Sequence, residues 1–264
     1  SNNKEKSLVS ALVLIENMLA EPEMRLESAR VIKKAEEEGL FTRTEELKGR
    51  VDLHCHTYYS DGWNTPSGIV YNAWRQGMKA VGVVDHNTFD GLYEALKAGE
   101  ILGIEVFIGV EFDLYDDALG MDNFHLVAYL PNEGGSEEFS RWLKTEGLVE
   151  LKAQLKELTD RYRNKNTAYI EEFNKRYAGR FELLPEDLRG YLTHMPNRYQ
   201  LGKALFDKYG PETLGFTEFR SLVGEYIPFD MAQMEGKDGL AAQDVLKAIT
   251  EVGGVVIMPH PGEK

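Results

Sequence analysis

Two histidines separated by one residue are the first feature of this sequence that indicates chemistry. His54 and His56 flank Cys55 in a short segment with the pattern of a β-strand. Because alternate side chains of a strand point to the same face, we expect both imidazoles to converge on one metal ion. Cys55 would point away as a small buried side chain. Imidazole and carboxylate ligands suit zinc, iron or manganese, and the single cysteine argues against a structural zinc site.

Further residues of metal-ligating type lie in the loop after this strand, at or just past the ends of other predicted strands and, for His125, near the start of one. They are Asp61, His86, Glu111, His125 and His260. Barrel enzymes build their active sites at the carboxyl ends of the strands, so we expect these side chains to meet at one rim. Together with the histidine pair they exceed the ligands that one catalytic metal needs, which predicts a metal cluster with a bridging carboxylate.

The elements that must position these residues follow from the hydropathy pattern. From Val51 onward, strands alternate with helices, which predicts an α/β fold with a parallel sheet or barrel. We place this barrel at residues 50–264, interrupted by a charged helical insertion at about 132–235. Residues 1–49 form a predicted N-terminal helical hairpin. Its apolar face needs a partner, either the main domain or a second subunit, so a homo-oligomer through the hairpin is one expectation.

Composition excludes several classes of function. The chain has 264 residues, with 30 Lys and Arg against 44 Asp and Glu, and a formal net charge of -14. This charge argues against binding long duplex nucleic acid through its phosphates and favours a small substrate. The one cysteine forms no internal disulfide, and the longest apolar stretch is too short to span a membrane. We therefore expect a cytoplasmic protein without a membrane partner.

The motifs together resemble the PHP (polymerase and histidinol phosphatase) superfamily of metal-dependent phosphoesterases. The matching segments are Asp52-Leu53-His54-Cys55-His56-Thr57, Ser60-Asp61-Gly62, Val84-Asp85-His86-Asn87-Thr88, Gly109-Val110-Glu111, Phe124-His125-Leu126 and His260-Pro261-Gly262. The similarity covers residues 51–264. It implies a distorted (β/α)7 barrel that holds two to three divalent metal ions, with zinc, manganese and iron as candidates.

The resemblance also implies roles for individual metal ligands. One ion would be held by His54, His56 and Glu111. A second would be held by Glu111, His125 and His260, with Glu111 as the bridge. Asp61 and His86 would contribute to a third.

On the substrate side, the helical insertion resembles that of small stand-alone members acting on nucleotides or short RNA. Arg198 would bind a substrate phosphate, and His194 lies close enough in sequence to touch the substrate. We expect hydrolysis of a phosphomonoester or a terminal phosphodiester, for example of a 3',5'-bisphosphonucleotide or a short oligonucleotide. Asp61, His86 and Arg198 are the expected catalytic residues. Asn87 departs from the pattern, because many relatives have Asp there.

Two alternatives remain open at this level. The family pattern ends in an Asp-x-His motif and a seventh strand that would lie beyond Lys264, so we expect a piece of a longer protein. Without that motif, the chain could be a catalytically silent PHP module that serves as a scaffold or binding domain. A metal-dependent amidohydrolase also uses His-x-His on a barrel, but usually has a Lys or carbamate bridge where Glu111 stands here.

Several polar residues near these motifs have simpler expected roles. Asp113, Asp116 and Asp117 are interpreted as a solvated acidic loop. Asp85 is expected to orient His86 or its loop rather than bind metal. Trp63, after Asp61, is interpreted either as a stacking platform for a base or as a packing residue.

Overall fold

The structure, a computed structural model, describes residues 2–131, 134–188, 198–215, 219–231 and 236–259. Two of the predicted site residues, His194 and His260, lie outside these ranges. Within the described residues, no helix is both long and apolar enough to cross a membrane.

The N-terminal hairpin consists of α1 (Asn2–Leu14) and α2 (Pro22–Glu37). Pro22 begins α2, where its fixed φ suits the first helical turn and its missing N–H is not needed. Ile15 and Ile32 are fully buried and belong to the same apolar core as helices α3 (Pro66–Arg75) and α4 (Leu92–Leu102). The main body of the same chain therefore covers part of the apolar surface of the hairpin, whereas Val9, Val13 and Leu19 are each more than half exposed.

The sheet follows the α/β pattern that the sequence predicts. Its strands are β1 (Val51–Cys55), β2 (Ala80–Val83), β3 (Glu105–Asp116), β4 (Met121–Tyr129), β5 (Leu240–Ala241) and β6 (Val255–Ile257). They are ordered β1-β2-β3-β4-β6, with β5 paired to β3. Strands β1, β2 and β3 are parallel, with α3 and α4 as the crossover helices.

The predicted parallel pairing is found for β1, β2 and β3, and β4 departs from it. Strand β4 is antiparallel to β3, and β6 is antiparallel to β4. Only four residues separate Asp116 from Met121, which is enough for a hairpin but far too few for a parallel crossover. The hairpin places His125 directly opposite Asp113.

Helices fill much of the chain between β4 and β5. They are α5 (Gly135–Trp142), α6 (Glu146–Arg176), α7 (Arg198–Leu214) and α8 (Phe219–Tyr226), and α9 (Ala242–Glu251) precedes β6. The later part of α6 packs with α7 and α8 around a second apolar cluster, which includes Tyr169, Phe173 and Leu205. The first part, including Leu148 and Leu155, belongs to the main core. Helix α6 thus connects the two clusters.

Candidate metal centre

The loop after β1 brings Asp61 back towards the histidine pair. A tight return is possible because Gly62 has no side chain: a Cβ there would lie 2.1 Å from the carbonyl oxygen of His56. Asp85, at the end of β2, holds the loop by accepting hydrogen bonds from Thr57 N at 2.7 Å and Thr57 Oγ1 at 2.6 Å. Ser60 Oγ donates to the same carboxylate at 2.5 Å. Asp85 therefore orients the loop, as its sequence context predicts.

His86 is positioned by a short continuation of the β2–β3 pairing. Glu111 N donates to Asp85 O at 3.1 Å, and Asn87 N donates to Glu111 O at 2.9 Å. His86 lies between these two hydrogen bonds and forms a parallel bridge with Glu111. The backbone then turns away at Asn87, which has a φ of 51°. This turn leaves the His86 side chain beside the Glu111 carboxylate.

Glu111 is the centre of the cluster. It is 1% exposed, and its Oε2 atom lies 2.7 Å from His54 Nε2 and 3.1 Å from His56 Nε2. Oε1 lies 3.0 Å from His125 Nδ1, and Oε2 is 3.8 Å from His86 Nε2. Burial alone would raise the pKa of this carboxyl group, but the surrounding imidazoles outweigh it and hold the pKa far below its usual range.

Asp61 closes the other side of the cluster. Its Oδ1 atom is 3.3 Å from His56 Nδ1, and its Oδ2 atom is 3.9 Å from His86 Nε2. The described residues thus form two overlapping sets of three potential ligands. One contains His54, His56 and Glu111, and the other contains His56, Asp61 and His86.

Asp113 is the residue that the sequence interpretation misses. The sequence pattern predicts a solvated loop at Asp113. In the structure, Asp113 lies within β3 and is largely buried. Its Oδ1 atom is 3.1 Å from both His86 Nδ1 and His125 Nε2, which completes a third set of potential ligands. The signal was present in the sequence: Glu111 and Asp113 are two residues apart, as are His54 and His56, and share one strand face.

The carboxylates shift the pKa values of the histidines upward. Burial disfavours the charged imidazole of His86, but Asp113, Asp61 and Glu111 outweigh this effect and raise its pKa to about 10. Burial likewise opposes protonation of His125, whereas Glu111 and Asp113 raise its pKa. Without metal ions, protonated imidazoles therefore balance the buried negative charge. In contrast, burial raises the pKa of the Cys55 thiol to about 12, so this thiol stays neutral.

Arg198 begins α7, which packs against the loop that carries Asp61. Arg198 Nη1 donates to Ile227 O at 2.8 Å. Two residues later, the buried Gln200 side-chain amide donates to the carbonyl oxygens of Tyr58, at 3.0 Å, and Ser60. Lys203 Nζ lies 5.3 Å from the centre of the Trp63 ring, and Trp63 is 40% exposed, so its role as a packing residue or a stacking platform stays a prediction.

A sheet whose strand ends carry a cluster of histidines around one buried glutamate defines an α/β protein with a candidate multinuclear metal centre. Residues 52–225 match the family model described as the PHP domain. The chain belongs to the PHP domain family, as the sequence motifs predict.

Characterised relatives in this family differ in length and activity. The chain is 42% identical over 78 residues to a 5'-3' exoribonuclease of Haemophilus influenzae, covering 30% of this chain and 27% of the relative. It is 26% identical over 216 residues to a phosphoribosyl 1,2-cyclic phosphate 1,2-diphosphodiesterase of Eggerthella lenta, covering 80% and 74%. A PolC-type DNA polymerase III of Staphylococcus saprophyticus is 30% identical over 189 residues, covering 67% and 12%.

Two solved structures share the fold. One is a Bifidobacterium adolescentis protein provisionally described as a metal-dependent phosphoesterase, with a TM-score of 0.63 and 19% identity. The other is an amidohydrolase of Chromobacterium violaceum with bound sulfate and no metal, with a TM-score of 0.62 and 20% identity. Each comparison covers 81% of this chain and 68% of the solved chain.

Proposed function

We propose that this chain is a metal-dependent phosphoesterase that hydrolyses a phosphomonoester or a terminal phosphodiester of a small substrate. The observation that carries the proposal is the position of Glu111. Its two carboxylate oxygens approach imidazoles from β1, from the segment after β2 and from β4. A buried carboxylate between separate groups of nitrogen ligands has the arrangement of a bridging ligand in a multinuclear centre.

The donor atoms fit divalent metal ions. His54 Nε2 and His56 Nε2 are 2.9 Å apart and face the same oxygen of Glu111, so all three atoms can turn towards one cation. His56 Nδ1 is buried and has no hydrogen-bond partner among the described residues, although Asp61 lies nearby. Nitrogen and oxygen ligands of this kind suit zinc, manganese or iron.

The residues divide into three metal-binding groups under this proposal. His54, His56 and Glu111 hold one ion, Glu111 and His125 hold a second, and Asp61 with His86 hold a third. His260, outside the described residues, completes the second group. Divalent ions in such a centre supply Lewis-acid activation of water and neutralise charge on phosphoryl oxygens.

The chain's own side chains control the approach of substrate and the movement of protons. The side chains of His54, Asp61 and His125 are 33%, 28% and 28% exposed, whereas that of Glu111 is 1% exposed, so a phosphate arriving from solvent would meet these residues before Glu111. Asp61 has two oxygens, so one would bind the third ion beside His86 while the other accepts a proton from the attacking water. Asp85 keeps Asp61 in place by holding Ser60 and Thr57.

Arg198 is the candidate phosphate-binding residue. The guanidinium group gives the bidentate geometry that phosphate recognition needs. Gln200 fixes the start of α7 to the backbone of residues 58 and 60, in the loop that carries Asp61, although the Arg198 guanidinium itself donates to Ile227 O. His194 precedes Arg198 and is retained as a second candidate for substrate contact.

A nucleotide or short oligonucleotide is the favoured substrate. The exoribonuclease of Haemophilus influenzae and the cyclic phosphate diphosphodiesterase of Eggerthella lenta both act on phosphodiesters of ribose-containing molecules, by their names. The net charge of -14 supports a small phosphorylated substrate over a long duplex. We place the enzyme in the cytoplasm, because a chain with a single cysteine suits a reducing compartment.

The test begins with the chelated chain reloaded separately with zinc, manganese or iron. Metal content and hydrolysis of p-nitrophenyl phosphate and 3',5'-bisphosphoadenosine are then measured. We expect bound metal together with turnover, and a loss of at least about 100-fold in E111Q because the bridge is removed. The matched control is E150Q, which makes the same change at an exposed position on α6.

Two results would contradict the proposal. Wild-type protein that binds no metal and hydrolyses neither compound would support the silent module instead. Equal activity in E111Q and E150Q would show that the cluster around Glu111 is not the active centre.

A further inference from the structure

Among the described residues, the polar groups within hydrogen-bond distance of the Asp113 carboxylate can all donate hydrogen bonds. His86 Nδ1 and His125 Nε2 lie at Oδ1, each 3.1 Å away. Asn87 Nδ2 lies 2.7 Å from Oδ2, and the Tyr162 hydroxyl is 3.1 Å from the same oxygen. An ionised carboxylate satisfies all these partners because both of its oxygens accept. An amide at this position would direct its NH₂ group at another donor.

Asn87 fixes the orientation of Asp113. Asp113 N donates to Asn87 Oδ1 at 2.9 Å, so the NH₂ group of Asn87 must point to Asp113 Oδ2. Both residues are buried, and the two hydrogen bonds clamp the carboxylate from backbone and side chain together. An aspartate at position 87 would instead place a second carboxylate against Asp113. This gives a structural reason for asparagine at the position where the family pattern usually has Asp.

The contacts of Asp113 decide which nitrogen of each histidine is available for metal. If His86 Nδ1–H donates to Asp113, its Nε2 atom remains free on the side that faces Asp61 and Glu111. If His125 Nε2–H donates to Asp113, its Nδ1 atom is unprotonated and lies 3.0 Å from Glu111 Oε1. A carboxylate that receives the outer N–H of a metal-bound histidine fixes its tautomer and ring orientation.

We propose that Asp113 is a positioning residue that orients two metal-binding histidines at once, holding His86 as the Nδ1–H tautomer and His125 as the Nε2–H tautomer. Under this proposal Asp113 accepts N–H groups from both imidazoles and is not itself a ligand, although its distances would also allow it to be one. This inference rests on one part of the proposed function, namely that His86 and His125 bind metal ions. Asn87 belongs to the same unit because it clamps the carboxylate.

The first experiment measures the tautomers directly. The chain is labelled with ¹⁵N-histidine and loaded with Zn²⁺, and long-range ¹H–¹⁵N spectra report which ring nitrogen carries the proton. H86Q and H125Q identify the signals. We expect the proton on Nδ1 of His86 and on Nε2 of His125. A proton on Nε2 of His86 would overturn the proposal, and this result needs no Asp113 variant to fold.

The second experiment measures Zn²⁺ affinity and stoichiometry in D113N. We expect affinity to fall about 10- to 100-fold with the number of ions per chain unchanged at saturation, because the ligands remain but lose their orientation. D160N, at an exposed position on α6, makes the same change and should bind Zn²⁺ as the wild type does. Loss of one ion per chain in D113N would identify Asp113 as a ligand and overturn the inference.

The two proposals fail in distinguishable ways. A chain that binds Zn²⁺ with the expected tautomers but hydrolyses neither test compound would contradict the phosphoesterase proposal and leave the role of Asp113 supported. If the chain hydrolyses both compounds and D113N keeps wild-type Zn²⁺ affinity, the phosphoesterase proposal is supported and the positioning role of Asp113 is contradicted.

Discussion

At the scale of single residues, the centre is dominated by negative charge that needs compensation. Glu111 and Asp113 are largely buried, and the pKa of each is held below its ordinary range by neighbouring imidazoles, against the effect of burial. Protons on the histidines and metal ions at their nitrogens are alternative ways to supply the positive charge. Metal binding therefore competes with protonation, and each ion that binds releases protons.

The raised pKa of His86 gives a pH dependence to the metal-free protein. Burial opposes this rise, but Asp113, Asp61 and Glu111 raise the pKa from 6.5 to about 10 in the folded chain. Protonation of His86 thus stabilises the fold fully below pH 6.5, and this contribution is lost as the pH rises through about 10. We expect the melting temperature with chelator present to fall between about pH 7 and about pH 10, and to fall less in H86Q.

Differential scanning fluorimetry measures the melting temperatures of the wild type and H86Q between about pH 7 and about pH 10, with chelator present. Other groups also titrate there, so the difference between the two curves carries the information. Parallel curves for the wild type and H86Q would contradict the role given to His86.

The spacing of residue types predicted much of the cluster and missed one member for a definite reason. His54 and His56 were predicted to converge because alternate strand residues share a face. The same rule applies to Glu111 and Asp113, but Asp113 was assigned to a solvated acidic loop after the strand. It continues to Asp116 because it pairs with β4 along that length. A local pattern does not reveal such a partner strand.

At the scale of elements, α6 contacts the candidate metal centre through the side chain of Tyr162. The Tyr162 hydroxyl lies 3.1 Å from Asp113 Oδ2 and 2.6 Å from Asp238 Oδ1. Burial raises the pKa of this phenol, and both carboxylates add to the effect, so the hydroxyl keeps its proton. With one proton it donates to one carboxylate at a time. The helical insertion is thus linked directly to the unit that orients His86 and His125.

Removing this hydroxyl tests the link between insertion and centre. We expect Y162F to lower Zn²⁺ affinity by about 3- to 10-fold, less than D113N, because Asn87 still clamps Asp113. Y177F makes the same change at the end of α6, where the hydroxyl is 3.5 Å from Glu225 O, and should leave affinity unchanged. Isothermal titration calorimetry measures the Zn²⁺ affinity of the wild type, D113N, Y162F and Y177F. Equal affinities in Y162F and Y177F would contradict the link.

The direction of β4 could not be predicted from its residues. An apolar strand with one histidine has the same pattern whether it pairs parallel or antiparallel. The distinguishing feature is the short connection after Asp116, and its acidic residues were read as part of a longer loop. The helices were easier to place, because Pro22 and the spacing of apolar residues mark them locally.

At the scale of the whole molecule, a buried ion pair joins the N-terminal hairpin to the main body. Arg25 on α2 donates to Glu94 on α4 through Nε at 2.8 Å and Nη2 at 2.7 Å, and both side chains are almost fully buried. Glu94 also accepts hydrogen bonds from Ser67 N and Oγ on α3. One carboxylate therefore connects three helices.

Breaking this pair should destabilise the whole chain. We expect E94Q to lower the free energy of unfolding by about 3 kcal/mol, because the guanidinium of Arg25 is left buried without its counter-charge. E38Q removes the exposed partner of Lys4 on the same hairpin and should cause no measurable change. Urea unfolding followed by circular dichroism compares the variants. A loss of helical signal confined to the hairpin in E94Q would contradict this coupling.

The sequence predicted the hairpin as a separate segment and left its partner open. Apolar periodicity shows that a helix face must be covered, but it contains no information about what covers it. Glu94 carried no sequence signal for its role either, because a helical Glu is normally exposed. Burial of Arg25 depends on three helices meeting, which only the folded chain brings about.

The contact between Gln200 and the loop after β1 has a consequence for protein engineering. The side chain of Gln200 holds the backbone at Tyr58 and Ser60, so the start of α7 forms part of the wall that keeps Asp61 in place. The inserted helices are therefore not an exchangeable module. A chimaera that takes this insertion from a relative must take the first turn of α7 and the loop after β1 from the same relative. Otherwise the contact that keeps Asp61 in place is lost.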